Sequence, residues 1–401
     1  MNDFAVKTVR GAQALTHRAA IVGAGHTRFG ALDAGPRTLL RTAVEAAFGS
    51  VDKGARGRDV GEAFLATLGF GGHQIGNSAA VLAEEAGIVG VPVTRVENAC
   101  ASGGFALRSA VGALAGGARS LVLVVGLEKM TDVSNARRRY WLGVSGDTEW
   151  ERLAGLTFAG VYGLIASRYF AEHGDASEAL AEVAVKNHEN GALNPNAHFQ
   201  KRVSREQVRA APRVADPLGL YDCCPVSDGA VALLLAAPDE ARKFTDTPVY
   251  VDGTGAGTDS LAVQERAWLT RFRATQRAAH EAFRSAGWHR SEVSLLEVHD
   301  CFTIAELLAL EDLGFAAPGE AGPLTLSGET RRTGRLPVNP DGGLKAKGHP
   351  IGATGVSQAY EIFLQLRGEA GHRQVPGAHH ALAQNVGGAG ATAAVSLFSV
   401  G

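Results

Sequence analysis

The sequence predicts an α/β protein of two similar halves, the first carrying a long, mostly helical insertion. Three observations predict it. Short runs of Val, Ile, Leu and Ala, such as AAIVGAG at 19–25 and SLVLVVG at 120–126, alternate with segments of helical periodicity. The order of elements over 19–240 returns over 245–401, and in each half a buried strand delivers a cysteine to the start of a helix. Over 129–222 the strand pattern lapses, and Tyr140, Trp141 and Trp150 sit among short helices and polar loops. Long insertions on a rigid scaffold often shape a ligand site.

In order, the first half reads as a strand at 19–25, an amphipathic helix at 38–48, a strand at 63–68 and a loop at 69–76. Asn77 is placed to cap a helix running to Ala86. A strand at 91–96 then leads through a tight turn into a small-residue helix at 104–114. A buried strand follows at 120–126, and after the insertion DGAVALLLA at 228–236 is another. The second half opens with a strand at 249–251 and a glycine loop at 253–259. A helix at 274–286, a strand at 295–299, a helix to Leu313, a glycine-rich turn at 342–355 and a helix at 356–367 come next. Two strands at 379–384 and 391–398, joined by Asn385 to Gly390, complete the half.

Composition bounds the function. The 401 residues are 45% hydrophobic and 20% charged with a net charge of −2, so a globular protein with substantial cores is expected. No basic tract suggests nucleic acid, and the Arg137–Arg139 run reads as a solvated or ligand-facing patch. No apolar run reaches membrane-spanning length. The first 18 residues lack an apolar signal core and the last three are no peroxisomal signal, so a cytoplasmic location is expected. The four cysteines show neither a disulfide framework nor zinc-ligand spacing, so no metal is expected. Gly23-Ala24-Gly25 fails as a dinucleotide motif because the third glycine would fall at Arg28. The 253–257 glycines lack the helix that a phosphate loop needs.

Three stretches place reactive side chains at turns before helices. In E-N-A-C-A-S-G-G, Cys100 sits at a helix N-terminus, where the helix dipole would favour thiolate. Nucleophile and buried packing residue both fit that position taken alone. In K-G-H-P-I-G-A-T-G, Pro350 restricts the backbone of His349, which suits either a base for Cys100 or a structural histidine. H-D-C-F supplies His299 and Cys301, with Asp300 between them as a turn or network residue. Cys223 and Cys224 read as packing residues, and histidines outside the motifs, His26 among them, as mostly surface residues.

Together these three motifs resemble the thiolase superfamily, and within it the sterol carrier protein-type thiolases and acetyl-CoA acetyltransferase-like proteins. C-P-V-S-D-G-A at 224–230 belongs to the same resemblance, which spans 19–398. It implies a thiolase fold of two pseudo-symmetric αβαβα halves, a loop domain inserted in the first half at 129–222, and a tight homodimer. It implies that Cys100 accepts the acyl group, that His349 activates it, that Cys301 is the acid/base, and that His299 helps form an oxyanion hole. Most thiolases carry the second cysteine near the C-terminus; Asn385 stands at that position here. Backbone N–H groups of Cys100 and Gly387 would stabilise tetrahedral intermediates. Coenzyme A would be a substrate and not a permanently bound cofactor, with His188 a contact for it and the 253–259 loop lining its channel.

The reaction implied is thiolysis of a 3-oxoacyl-CoA or the reverse Claisen condensation. Three rivals share the fold: a decarboxylating ketosynthase, a retro-aldolase acting on β-hydroxyacyl-CoA side chains of steroids, and a thiolase-like scaffold subunit. The full set of reactive residues argues against each. Some relatives work beside a small OB-fold, zinc-ribbon partner protein, and such a partner is possible for this chain.

Overall fold

A computed structural model describes residues 17–117 and 120–401. The segment read above for a signal core lies almost entirely outside these residues. The first half contains β1 (Ala19–His26), α1 (Pro36–Gly49), β2 (Glu62–Ala66), α2 (Ser78–Glu85), β3 (Val93–Val96), α3 (Ser102–Ala115) and β4 (Leu121–Glu128). The insertion carries α4 (Asn135–Gly143), α5 (Phe158–His173), α6 (Ser177–Gly191), α7 (Arg205–Arg209), β5 (Arg213–Ala215) and β6 (Leu218–Gly219), before β7 (Gly229–Ala236). The second half contains β8 (Val249–Thr258), α8 (Arg273–Ala286), β9 (Leu295–Glu297), α9 (Thr303–Asp312), α10 (Ala321–Leu326), α11 (Gly343–Ala346), α12 (Thr354–Arg367), β10 (His380–Gly387) and β11 (Thr392–Val400).

The strands of the two halves form one hydrogen-bonded row, β3-β2-β4-β7-β1-β8-β11-β10-β9. The halves join where β1 and β8 pair antiparallel through Ala19–Val251, Ala20–Tyr250 and Ile21–Val249. Val338 forms a parallel bridge to Leu296 of β9 and stands where β3 stands in the first half. From the junction outward, β1-β7-β4-β2-β3 therefore matches β8-β11-β10-β9-Val338, the duplication expected from element order.

Both sheet faces are covered, and side-chain alternation sorts the strand residues into separate cores. Val122 and Val124 of β4, with Val231, Leu233 and Leu235 of β7, face a central core shared with Leu107 and Val111 of α3 and Val356, Ile362 and Phe363 of α12. Their neighbours Leu121, Leu123, Val125 and Leu234 face the opposite side, under Leu40 and Val44 of α1. On the outer face of the second half, Leu382, Val395 and Leu397 pack against Ala278 and Ala282 of α8, Leu307 and Leu308 of α9, and Ile165 and Tyr169 of α5. Helices α3 and α12 are thus the middle layer of five.

Several sequence expectations change. The 253–257 glycines lie within β8 and do not form a channel loop, and they let α8 sit close. A Cβ on Gly255 would meet the Ala278 carbonyl at 2.0 Å, and one on Gly257 the Ala274 carbonyl at 2.4 Å. Gly25 does the same under α1, against the Ala43 carbonyl at 2.2 Å. Asn77 precedes α2 in the left-handed region at φ 57° and makes no side-chain cap. The insertion contains the small β5–β6 hairpin, too short to show as a hydrophobic run. His26 is half-buried; its Nε2 meets Ser357 Oγ at 2.8 Å, and desolvation followed by the charge of Lys347 lowers its pKa to about 3.

Candidate active site

Cys100 stands on a constrained turn between β3 and α3. Ala99 before it has φ 49°, an unusual conformation for a residue with a side chain. Ser102 holds the turn: its Oγ donates to the Ala99 carbonyl at 2.6 Å and accepts from the Asn98 N–H at 2.9 Å. The middle-layer helices meet just behind. A Cβ on Gly103 would lie 2.7 Å from the Val356 nitrogen, and one on Gly355 would lie 2.4 Å from the Gly104 nitrogen. That close approach brings the N-terminal ends of α3 and α12, with Cys100 and His349 ahead of them, to one place.

His349 is fixed from both sides. Its backbone bridges to Val226, and Gly348 before it has φ 115°, a conformation that favours glycine. Its Nδ1 meets Thr354 Oγ1 at 2.6 Å, and that hydroxyl donates its only proton to the Pro350 carbonyl at 2.9 Å. The hydroxyl must therefore accept from His349 Nδ1–H, which leaves the Nε2 lone pair free.

His299 has the opposite tautomer. Asn385 Oδ1 accepts from the Gly104 N–H at 3.0 Å, so its Nδ2 is the donor to the Cys100 carbonyl at 2.9 Å and to His299 Nδ1 at 3.2 Å. His299 therefore carries its proton on Nε2, which is buried without a protein partner. Asn385 ties the nucleophile turn to this ring. The two imidazoles stand edge to face with centroids 5.1 Å apart. Cys100 Sγ and one nitrogen of each ring lie within 4.8 Å of one another. One sulfur and two imidazoles at this spacing form a possible metal-ligand set that sequence spacing did not reveal, because the three come from separate segments. The hydrogen bonds favour metal-free use, since both nitrogens of His299 are committed or protonated and only His349 offers a free lone pair.

Cys100, Cys301 and His349 open onto a cavity of about 840 Å³, roofed by Arg139, Tyr140, Arg152 and Phe158 of the insertion. His299 stands behind this wall, 2% exposed. Arg137 and Arg138 bond to backbone carbonyls, leaving Arg139 as the member of that run that faces the cavity.

The electrostatics differ from the sequence expectation. Burial, with the nearby Cys224 adding to it, pushes the Cys100 thiol up to about 12. Helix α3 begins two residues further on, and desolvation outweighs the help of its N-terminus. The N–H groups of Gly388 and of Cys100 itself bond the sulfur and pull the other way. Burial, then the charge of Lys347, lowers His349 to about 3. Burial, then His349 and Lys347, holds His299 well below the usual histidine range. Burial raises the Cys301 thiol, while hydrogen bonds from Tyr162 and the Phe302 N–H oppose it. The resting pair is a neutral thiol and a neutral imidazole.

Other expected residues lie elsewhere. The backbone N–H groups that meet the resting sulfur are those of Cys100 and of Gly388, the residue after Gly387 at the end of β10. His188 lies on α6 inside the insertion, stacked on Phe199 with Nδ1 3.1 Å from the Lys201 carbonyl, and does not line the cavity. Asp300 is a network residue: its Oδ1 accepts from the Leu344 N–H at 2.7 Å and its Oδ2 from Asn187 Nδ2 at 2.7 Å. Cys223 and Cys224 pack against the outer core of the second half, as read from the sequence, and also line the cavity. Sequence reasoning missed Tyr162, a lone tyrosine in a helix with no motif around it.

Comparison with known proteins accords with this arrangement. Residues 19–239 match the family model "Thiolase, N-terminal domain", and 255–400 match "Thiolase C-terminal domain-like". The chain is 45% identical to an acetyl-CoA acetyltransferase of Methanothermobacter thermautotrophicus, over 95% of this chain and 99% of that one. It is 35% identical to human sterol carrier protein 2, over 79% of this chain and 60% of that longer protein. Among solved structures, "Ltp2-ChsH2(DUF35) aldolase" superposes with a TM-score of 0.85 at 24% identity, covering 96% of this chain and 99% of that one. Human mitochondrial 3-ketoacyl-CoA thiolase superposes with a TM-score of 0.73 at 17% identity, covering 97% and 100%.

Proposed function

The chain belongs to the thiolase family of acyltransferases, and we propose that it makes and breaks carbon–carbon bonds between acyl-CoA units through an acyl-Cys100 intermediate. The observation that carries this reading is the convergence of the Cys100 thiol, the free Nε2 lone pair of His349 and the Cys301 thiol on one cavity.

In the cleavage direction His349 Nε2 takes the Cys100 proton as sulfur attacks the 3-keto carbon of a 3-oxoacyl-CoA. The developing oxyanion is assigned to the backbone N–H groups of Cys100 and of the Gly387–Gly388 turn, where those of Cys100 and Gly388 already meet the resting sulfur. The C2–C3 bond then breaks, and its electron pair becomes a thioester enolate whose oxygen is matched by His299 Nε2–H. One such donor is worth about 3–4 kcal/mol. Cys301 gives its proton to C2, releasing acetyl-CoA or its 2-substituted homologue, while the shortened acyl group stays on Cys100. The resulting thiolate takes the proton of an incoming CoA thiol, whose sulfur attacks the acyl group. Cys100 leaves as a thiolate and recovers its proton from the His349 imidazolium. The reverse sequence is a Claisen condensation, with Cys301 removing the α-proton.

Arg139 and Arg152 at the roof of the cavity suit the phosphates of coenzyme A as substrate. The reading extends to a homodimer, formed at β3: this strand ends the sheet row, is only part buried, and leads straight to Cys100. It includes room for a small OB-fold, zinc-ribbon partner, one structural relative being named as a DUF35 assembly. Among the described residues no helix is long and apolar enough to cross a membrane. All four cysteines are free, which fits the proposed cytoplasmic setting.

Intact-protein mass spectrometry with acyl-CoA and 3-oxoacyl-CoA thioesters tests the proposal. The wild type should gain the acyl mass and lose it on addition of CoA, and Cys100→Ala should gain nothing. No adduct with any thioester would sink the acyl-enzyme reading and favour an aldolase, the activity that the 0.85 structural neighbour is named for.

A further inference from the structure

Within that thiolase reading, we infer that Tyr162 is a positioning residue for Cys301, its phenol O–H moving between two acceptors as Cys301 gains and loses its proton. Tyr162 lies on α5 of the insertion, fully buried, with its edge on the cavity shared by Cys100 and Cys301. Its ring stacks on Phe302, the residue after Cys301, with centroids 4.4 Å apart and planes 22° apart, and stands edge-on to Phe272 at 6.4 Å. These two aromatic contacts and full burial hold the ring in place while its hydroxyl can turn. That hydroxyl has two acceptors. One is the Gly388 carbonyl at 3.5 Å, a long and weak hydrogen bond. The other is Cys301 Sγ, on the same cavity wall and one residue before the Phe302 ring on which Tyr162 stacks, and the electrostatics of both groups couple them as donor and acceptor.

The two acceptors differ in what they gain. A thiol sulfur is a weak acceptor, so with Cys301 protonated the hydroxyl loses little by resting on Gly388. A thiolate is a strong acceptor, and a hydrogen bond to a charged group is worth more than one between neutral groups. Tyr162 therefore stabilises the thiolate selectively. Without that donor, burial leaves the Cys301 thiolate with the Phe302 N–H as its remaining hydrogen bond. In the condensation direction the Cys301 thiolate takes a proton from C2 of the acyl-CoA, leaving a thiol and an enolate. In cleavage the thiol returns it. Tyr162 keeps its own proton throughout, so it acts on the α-proton through Cys301.

The arrangement separates two half-reactions. Cys100 acylation uses His349 and should not depend on Tyr162, whereas proton transfer at C2 should. The test compares wild type, Tyr162→Phe, Cys301→Ala and the double variant. Two rates are read: growth of the acetyl adduct on Cys100 by mass spectrometry, and exchange of the C2 hydrogens of acetyl-CoA in D₂O by NMR. Tyr162→Phe keeps the ring and its stack on Phe302. It should acylate within about twofold of wild type while exchange slows about ten- to a hundredfold, as for loss of one hydrogen bond to a charged group. In the Cys301→Ala background the same substitution should change acylation no further. Exchange unchanged in Tyr162→Phe overturns the inference, as does a parallel fall of acylation and exchange, which marks a structural role. A wild type that forms no adduct removes the acyl-enzyme reading itself, and this inference with it.

Discussion

At Cys100 the proton rests on sulfur and not on His349, because burial disfavours either charge alone. The thiol is pushed up to about 12 and the imidazole down to about 3, so neither titrates between pH 5 and 9. Alkylation of Cys100 by iodoacetamide, followed on its own peptide by mass spectrometry, should therefore show no titration step across that window. His349→Asn should slow it about a hundredfold, the scale of one general base. A sigmoidal rise near pH 8 would instead mean an exposed, ordinary thiol. His26 supplies a second residue-scale test. Its folded pKa of about 3 lies below the unfolded value of 6.5, so the stability tied to its neutral form is present above pH 6.5 and is lost as pH falls toward 3. The penalty of His26→Gln in urea denaturation should accordingly shrink by about 1.4 kcal/mol per pH unit below 6.5. A penalty equal at pH 7.5 and 5 would contradict the burial argument.

The decisive contacts between elements are made where glycine removes a side chain. In β8 a Cβ at Gly255 would meet the Ala278 carbonyl at 2.0 Å and the Ala282 nitrogen at 2.7 Å, both backbone atoms of α8 that cannot step aside. Gly255→Ala should cost about 1–3 kcal/mol by denaturant unfolding, the range for overpacking a tight core. Gly355→Ala is a test of another kind. Its Cβ would fall 2.2 Å from Asn385 Oδ1, the atom that fixes how Asn385 holds both the Cys100 turn and His299. Turnover should fall at least tenfold in a protein that still unfolds cooperatively, because a shift near 1 Å at a reacting pair is enough to lose that much or more. Equal activity in Gly355→Ala would mean that the α3–α12 crossing does not set the site.

At the scale of the whole molecule, the two halves place their cysteine-bearing turns on the same end of the middle layer, so the site belongs to neither half alone. The free edge at β3 sits beside it. Size-exclusion chromatography with light scattering should give twice the mass of one chain at micromolar concentration; the mass of a single chain would refute the dimer proposed at that edge. Much of this plan is legible in the linear chain. The apolar runs 120–126 and 228–236 read as buried strands, and 274–286 as a helix, as the structure has them. Both signals are local, set by side-chain period and chain length. The three motifs likewise singled out Cys100, His299, Cys301 and His349, because each carries its turn chemistry within a few residues.

What the linear order could not convey is how groups distant along the chain meet. The glycines of β1 and β8 failed as phosphate-binding motifs in the linear sequence, and their use in close strand–helix packing shows only once α1 and α8 lie against them. The tautomers of the two histidines depend on Thr354 and on Asn385, the latter 86 residues from His299. β10 runs to Gly387, beyond the predicted end at 384, and so brings Gly388, whose N–H meets the Cys100 sulfur, to the turn. The protonation of Cys100 followed burial, a property of everything packed around it, over the local helix end that the sequence displays. Tyr162 had no local signature, since its meaning lies in the 3.5 Å to Gly388 and the ring beneath it. Periodicity and turn chemistry act over a few residues and so are written in order along the chain; desolvation and hydrogen-bond partnership act through space, and exist only once the chain has closed on itself.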